Sequence, residues 1–360
     1  MKLLPLFTLH SSLFTVVAAF AAFAVRAATP YGDGADVVNS GSGLAFLGES
    51  HLLATTGSSA TPRNGEKERA LIAYSLERPA HPVEVGRLAL DGAPFPQGLA
   101  VTGGKAFVVD GLNLWCIDAN DPAKMAVVSK TALSDAGETG PRAIALDDDG
   151  KTAYLACGRA GVKAYDLSDP AKPRLLWGCP TTFSRDVAPF AGGVASAEEL
   201  SGVAFLRAGK VASSLKLPRD GAVSVRALGD RLYVANGASL LSVLTLTPEG
   251  ELKVFCGFGT APRPSFGTYS YFALPVKGGL VYVLDGESGI FEMQFVWRGT
   301  HTVDIKRSSG GLKYPVTKAA VARDGWLYAS CSSCDGPTRI LVFDIPQREL
   351  KPVVEAAEAR

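Results

Sequence analysis

Histidine is scarce in this chain. Of four, His10 lies in the N-terminal apolar stretch, and only His51, His81 and His301 follow it. A hydrolytic triad needs a base held beside its nucleophile, yet the pattern places His51 and His301 at strand starts and His81 in a turn. Three isolated surface histidines therefore describe them better than a catalytic set. A glycine-rich phosphate loop with its lysine is also missing. So is an excess of charge: the 36 bases and 35 acids fall to 34 and 35, a net of −1, once Lys2 and Arg26 are removed with a leader. A near-neutral protein has no general field for gathering nucleic acid or an anionic membrane, so neither is expected as a partner. No long apolar run recurs after Val25, so nothing later in the chain is expected to span a membrane.

What is present begins with MKLLPLFTLHSSLFTVVAAFAAFAVRAATP. One early positive charge, an apolar stretch from Leu13 to Val25 and small residues at Ala27 and Ala28 follow the order of a cleavable secretory signal, predicted as residues 1–27. An uncleaved anchor is the competing reading, because the stretch from Leu3 is long enough to span; His10, Ser11 and Ser12 interrupt it. No cysteine near the cleavage site could accept a lipid. The mature chain, residues 28–360, is expected outside the cytoplasm: secreted, periplasmic or on the cell surface.

That mature chain repeats itself. KAFVVDG (105–111), TAYLACG (152–158), RLYVANG (231–237), LVYVLDG (280–286) and WLYASCS (326–332) put a bulky aromatic in one slot. HLLATTG (51–57), with Leu53, and VASAEEL (194–200), with Ser196, are weaker copies that bring the count to seven, 37 to 54 residues apart. Such a period matches a four-strand unit. In the second copy the segments GLAVTG, KAFVVD, LNLWCID and KMAVVSK are short, rich in Val, Leu, Ala and aromatics, and bounded by Gly, Asp, Asn and Pro. They read as strands, and connections this short join only antiparallel neighbours.

A second repeated phrase, DANDPAKM (118–125) and DLSDPAKP (166–173), falls between the third and fourth strands. Proline cannot donate to a ladder and Asp side chains bond nearby amides, so Asp118, Asp121, Asp166 and Asp169 are turn residues in this reading. The same preference explains why Asp110, Asn236, Asp285 and Asp335 stand before glycine. Meanders that cannot bury both faces alone close most naturally into a ring. The expectation is an all-β protein, one seven-bladed β-propeller of four-stranded antiparallel blades, at about 38–90, 96–133, 140–180, 184–218, 222–258, 269–309 and 316–356. A sandwich pair or an open solenoid is the alternative, and unit four is the least regular.

The stretches GLAVTGGKAFVVDGLNLWCIDANDPAKM (98–125) and RAIALDDDGKTAYLACGRAGVKAYDLSDPAKP (142–173) resemble the LVIVD repeat of bacterial and archaeal extracytoplasmic β-propellers. The likeness is good over those two units, fainter in units five to seven and weak in one and four. It implies the propeller and an extracytoplasmic site, and it carries no catalytic residues.

At the entry to the first strand Arg142, Arg185 and Lys318 share a slot, with Tyr271 in unit six. In a closed ring they would meet at one mouth of the channel and could receive an acidic sugar, a carboxylate or an acidic protein loop; three ordinary solvated bases is the plainer reading. Cys331 and Cys334, in CSSC, are candidates for a local disulfide, against free thiols, a metal site lacking two further ligands and a redox motif lacking its helix. Cys116, Cys157, Cys179 and Cys256 read as small core residues. The expected function is a monomeric, non-catalytic binding or protein-interaction scaffold without metal or cofactor. A propeller hydrolase or lactonase acting on a sugar acid and a structural surface protein are the alternatives.

Overall fold

In the computed structural model, residues 43–345 are described except 57–68, 94–95, 134–139, 218–220, 238–240, 259–269, 277–278, 286–288, 298–300, 309–315 and 333–338. The described chain forms seven antiparallel sheets, each a meander in which sequence neighbours pair. Six have four strands and the seventh has three among the described residues. The innermost strands are Leu44–Leu47, Gly98–Thr102, Ala143–Leu146, Asp186–Phe190, Ser224–Leu228, Ser270–Val276 and Val316–Arg323. Each touches the next round the ring, and the seventh touches the first. The seven-bladed β-propeller expected from the repeats is thus what the chain builds.

Alternation along the strands explains the ring. A strand directs successive side chains to opposite faces, so each blade offers one apolar face backwards and one forwards. Seven buried clusters result, each drawing on two neighbouring blades. An open row of seven blades would have only six such seams. The seventh joins Leu44, Leu52 and Ile72 of blade 1 to Ala319, Tyr328 and Val342 of blade 7. Polar contacts reinforce the closure: Arg323 Nη1 donates to the Gly48 carbonyl at 2.5 Å, its guanidinium lies 4.0 Å from the Phe46 ring centre, and the Tyr328 hydroxyl donates to Pro79 O at 3.0 Å. The repeated aromatic slot faces the following blade at every seam, as with Phe107 against blade 3 and Tyr233 against blade 6.

Blade 4 requires a correction of one residue. Its first two strands pair Ala188 with Ala195, whereas blade 5 pairs Arg226 with Tyr233 at the same step from the hairpin. Ala195, not Ser196, occupies the aromatic slot. With alanine there, no bulky side chain marks the register in the sequence.

The repeated Asp-Pro phrase does more than turn the chain. Asp118, Asp121, Asp166 and Asp169 accept from the amides of Asn120, Ala123, Ser168 and Ala171. The turn then docks on the outermost strand of the preceding blade. In blade 1 the contact is at Gly86, where an added Cβ would lie 1.9 Å from Pro122 O; in blade 2, Ser129 Oγ donates to Pro170 O at 2.7 Å; in blade 4, where blade 5 has no Asp-Pro, Ser213 Oγ accepts from Leu252 N at the start of blade 5's outermost strand at 2.9 Å. Gly86, Ser129 and Ser213 all stand at the bulge of their outermost strand. That bulge recurs in blades 1 to 6, and bulged outer strands are poor templates for edge-to-edge pairing.

Candidate functional site

The inner strands enclose a channel of about 1250 Å³. One mouth is built by residues just ahead of these strands, Gln97, Arg142, Arg185 and Val223, whose amides each donate to the second strand of their own blade. The other mouth is built where the strands end, by Asp147–Asp149, Ala191–Gly193 and Leu228–Gly229. Small residues let neighbouring strands approach: a Cβ on Gly98 would stand 2.9 Å from Ile144 N.

Arg142 and Arg185 occupy equivalent positions, donating their backbone N–H to Ala156 O and Ala197 O at 2.8 Å each, and both line the channel. Their side chains differ in state. Arg185 Nη1 donates to Glu199 Oε1 at 2.8 Å. Arg142 has no ion pair among the described residues; its guanidinium carbon lies 5.6 Å from the Phe183 ring centre, and its Nε is buried without a hydrogen-bond partner. A buried donor without an acceptor costs about 1–3 kcal/mol. Phe183 is fixed from below, since its amide donates to Glu198 Oε2 at 2.8 Å while Ser196 Oγ donates to the other oxygen and Ser184 bonds Ser196 at 2.8 Å. Glu198, Ser196 and Ser184 are all buried.

A third arginine comes from within an inner strand. Arg226 Nη1 donates to Asp186 Oδ2 at 2.5 Å and to Val225 O at 2.6 Å, with its guanidinium carbon 4.3 Å from the Phe272 ring centre. Asp186 also accepts from Val225 N and Val187 N at 3.0 Å each, stitching blade 4 to blade 5. Ser224 Oγ is buried beside this group, lines the channel and has no hydrogen-bond partner among the described residues. Lys318 and Tyr271 fall at register irregularities near the starts of the inner strands of blades 7 and 6; their side chains lie outside the described residues. Of the CSSC pair, Cys331 is in the strand Trp326–Ser332 with its side chain undescribed, and Cys334 lies outside the described residues.

Comparison with known proteins places this frame. No family model and no curated protein matches the sequence. Among solved structures, a protein from Lactobacillus plantarum superposes with a TM-score of 0.64 at 12% identity, over 85% of this chain and 96% of that one. The β-propeller domain of Cps50 (Swd1) from Myceliophteria thermophila gives 0.62 at 12% identity, over 82% and 95%. The computationally designed Ika8 protein gives 0.57 at 10% identity, over 86% and 98%. The likeness is one of fold.

The far mouth of this propeller is acidic. Asp149 is held below its ordinary pKa, first by the backbone amide of Lys151 and then by a side-chain hydrogen bond with Asp147. Tyr154 in the channel wall is pushed above its ordinary value, first by burial and then by Asp147 and Asp149. Sequence patterns missed Asp186, Ser224 and Arg226 because the repeats mark turns and the aromatic slot and give no cue for single polar residues on the innermost strands, and missed Glu199 because it stands in a glycine slot. Comparing unit four's Glu198-Glu199 with Asp110-Gly111, Cys157-Gly158 and Asn236-Gly237 is the signal that finds it.

Proposed function

We propose that this chain is an extracytoplasmic β-propeller of the LVIVD-repeat type, a monomer acting as a non-catalytic binding scaffold, whose ligand presents an acidic group to Arg142 and Arg185. The observation that carries the reading is the buried, unpartnered Nε of Arg142 in the channel wall, one blade from an equivalent arginine. Guanidinium groups recognise carboxylates through charge-assisted paired hydrogen bonds, and a concave site with a few placed polar groups is the usual form of a small-ligand site. The repeat resemblance and the N-terminal leader pattern support the location.

Titration calorimetry with D-glucuronate, using glucose as the uncharged control, tests the binding. The wild type binds glucuronate and not glucose, and replacing Arg142 and Arg185 together by Ala weakens glucuronate by at least ~10-fold, the scale of one lost charge-assisted hydrogen bond. Equal binding by the double variant defeats the reading. N-terminal sequencing of exported protein is expected to begin at Ala28; an intact Met1 contradicts the leader.

A further inference from the structure

Blade 4 breaks the repeat where it reaches the basic mouth. After the second strand, blades 2, 3 and 5 place Gly111, Gly158 and Gly237, all at positive φ. Blade 4 places Glu199 there, at φ 46°. A non-glycine residue in this region is strained and persists only where its surroundings hold it. The backbone holds it: Glu199 N donates to Ala222 O at 3.0 Å, Ala222 N donates back at 2.8 Å, and Gly221 leaves room that a Cβ would close, 1.9 Å from Glu199 O. With its backbone pinned, only the side chain can change place without disturbing the blade. It lies on Arg185 at 2.8 Å with a relative exposure of 37% against 35% for the arginine.

From this arrangement, and resting on the proposed anionic ligand, we infer that Glu199 is a built-in stand-in for the ligand's carboxylate, occupying Arg185 until a carboxylate-bearing small molecule displaces it. Three features converge on this. The internal occupant shows that the site accepts a carboxylate geometry. The pair is about a third exposed, and exposed pairs hold weakly, so displacement costs an incoming ligand no more than about fivefold in affinity. Arg142, in the equivalent position of the neighbouring blade, has no ion pair among the described residues and keeps an uncommitted donor, so an external carboxylate towards which its side chain turns gains a contact that Glu199 lacks. Displacement frees the Glu199 carboxylate to water without breaking the Ala222 bridge or the seam beneath it. The ligand class is therefore a small carboxylate of the sugar-acid kind, competing with a tethered one.

The test uses D-glucuronate on the whole protein, comparing wild type with Glu199→Gln, Glu199→Gly and Arg185→Ala. The expected result is two- to fivefold tighter binding in both Glu199 variants and weaker binding in Arg185→Ala. Glu199→Gly, which installs the residue of the neighbouring blades, is expected to melt no lower than wild type. If Arg185→Ala weakens glucuronate while neither Glu199 variant tightens it, the competing role is wrong and the anion-binding reading survives. If Glu199→Gly melts more than ~5 °C below wild type, the pair is structural and the inference fails. If neither wild type nor either Glu199 variant binds glucuronate, both readings fall together.

Discussion

Replacing Gly86 with Ala probes how one blade is fastened to the next. The new Cβ would stand 1.9 Å from Pro122 O, 2.8 Å from Pro122 C and 2.9 Å from Ala123 Cα, all backbone atoms of the turn that blade 2 lays on blade 1. No flexible side-chain end can yield, so the turn must lift or the outer strand must bend. Overpacking of this kind costs about 1–3 kcal/mol. Gly178, in the outermost strand of blade 3, supplies the control: a Cβ there meets only Lys163 Cγ at 3.8 Å, and its replacement by Ala is expected to be neutral or to stabilise by about 0.4–1 kcal/mol through the unfolded chain. Urea unfolding followed by tryptophan fluorescence reads both. The Gly86→Ala midpoint should fall with the slope unchanged, and the Gly178→Ala midpoint should hold or rise. Equal midpoints for Gly86→Ala and wild type would refute the docking argument, because an overlap with backbone at that distance cannot be absorbed silently.

Other outcomes follow from the same structure. Ser129→Ala removes one hydrogen bond to the turn of blade 3 and is expected to lower stability by about 1 kcal/mol, less than Gly86→Ala; a larger loss would mean that Ser129 does more than hold Pro170. Asp166 is held at about 2, first by the Ser168 amide, then by the Ser168 side chain, then by Arg174. A depressed folded-state value stabilises above the unfolded pKa and is lost as pH falls, so this contribution fades between about pH 4 and pH 2. Asp166→Asn should flatten that part of the melting-temperature curve, and an unchanged acid limb contradicts the assignment. Burial pushes the thiols of Cys116, Cys157 and Cys256 up to about 11, 12 and 11. At pH 8, peptide mapping after iodoacetamide should find these three unmodified in the native protein and modified in urea, since the thiolate is the reacting form.

The parts of this molecule that could be read in advance are those whose chemistry is local. An aromatic slot shows because its side chain must fill a seam between blades, as Phe107 and Tyr154 do. Asp-Pro turns show because their side-chain hydrogen bonds close within two residues. What resisted reading depends on neighbours far along the chain. Ala195 gives no size cue, so the register of blade 4 slipped by one. Gly86 and Ser129 look like ordinary strand residues until the next blade's turn is set upon them. Arg142 and Arg185 could be singled out by position alone, but their different states, one held by Glu199 and the other open, depend on Phe183 and on a glutamate in a glycine slot. Asp186 and Arg226 were hidden because each finds its partner some 40 residues away.

A crystal structure of the protein grown with D-glucuronate tests the central claim most directly. The account predicts a carboxylate at the Arg142–Arg185 mouth within hydrogen-bonding distance of both guanidinium groups, with the Glu199 side chain turned off Arg185 while its backbone still pairs with Ala222. Glucuronate absent from that mouth, or seated elsewhere with Glu199 still on Arg185, would contradict it.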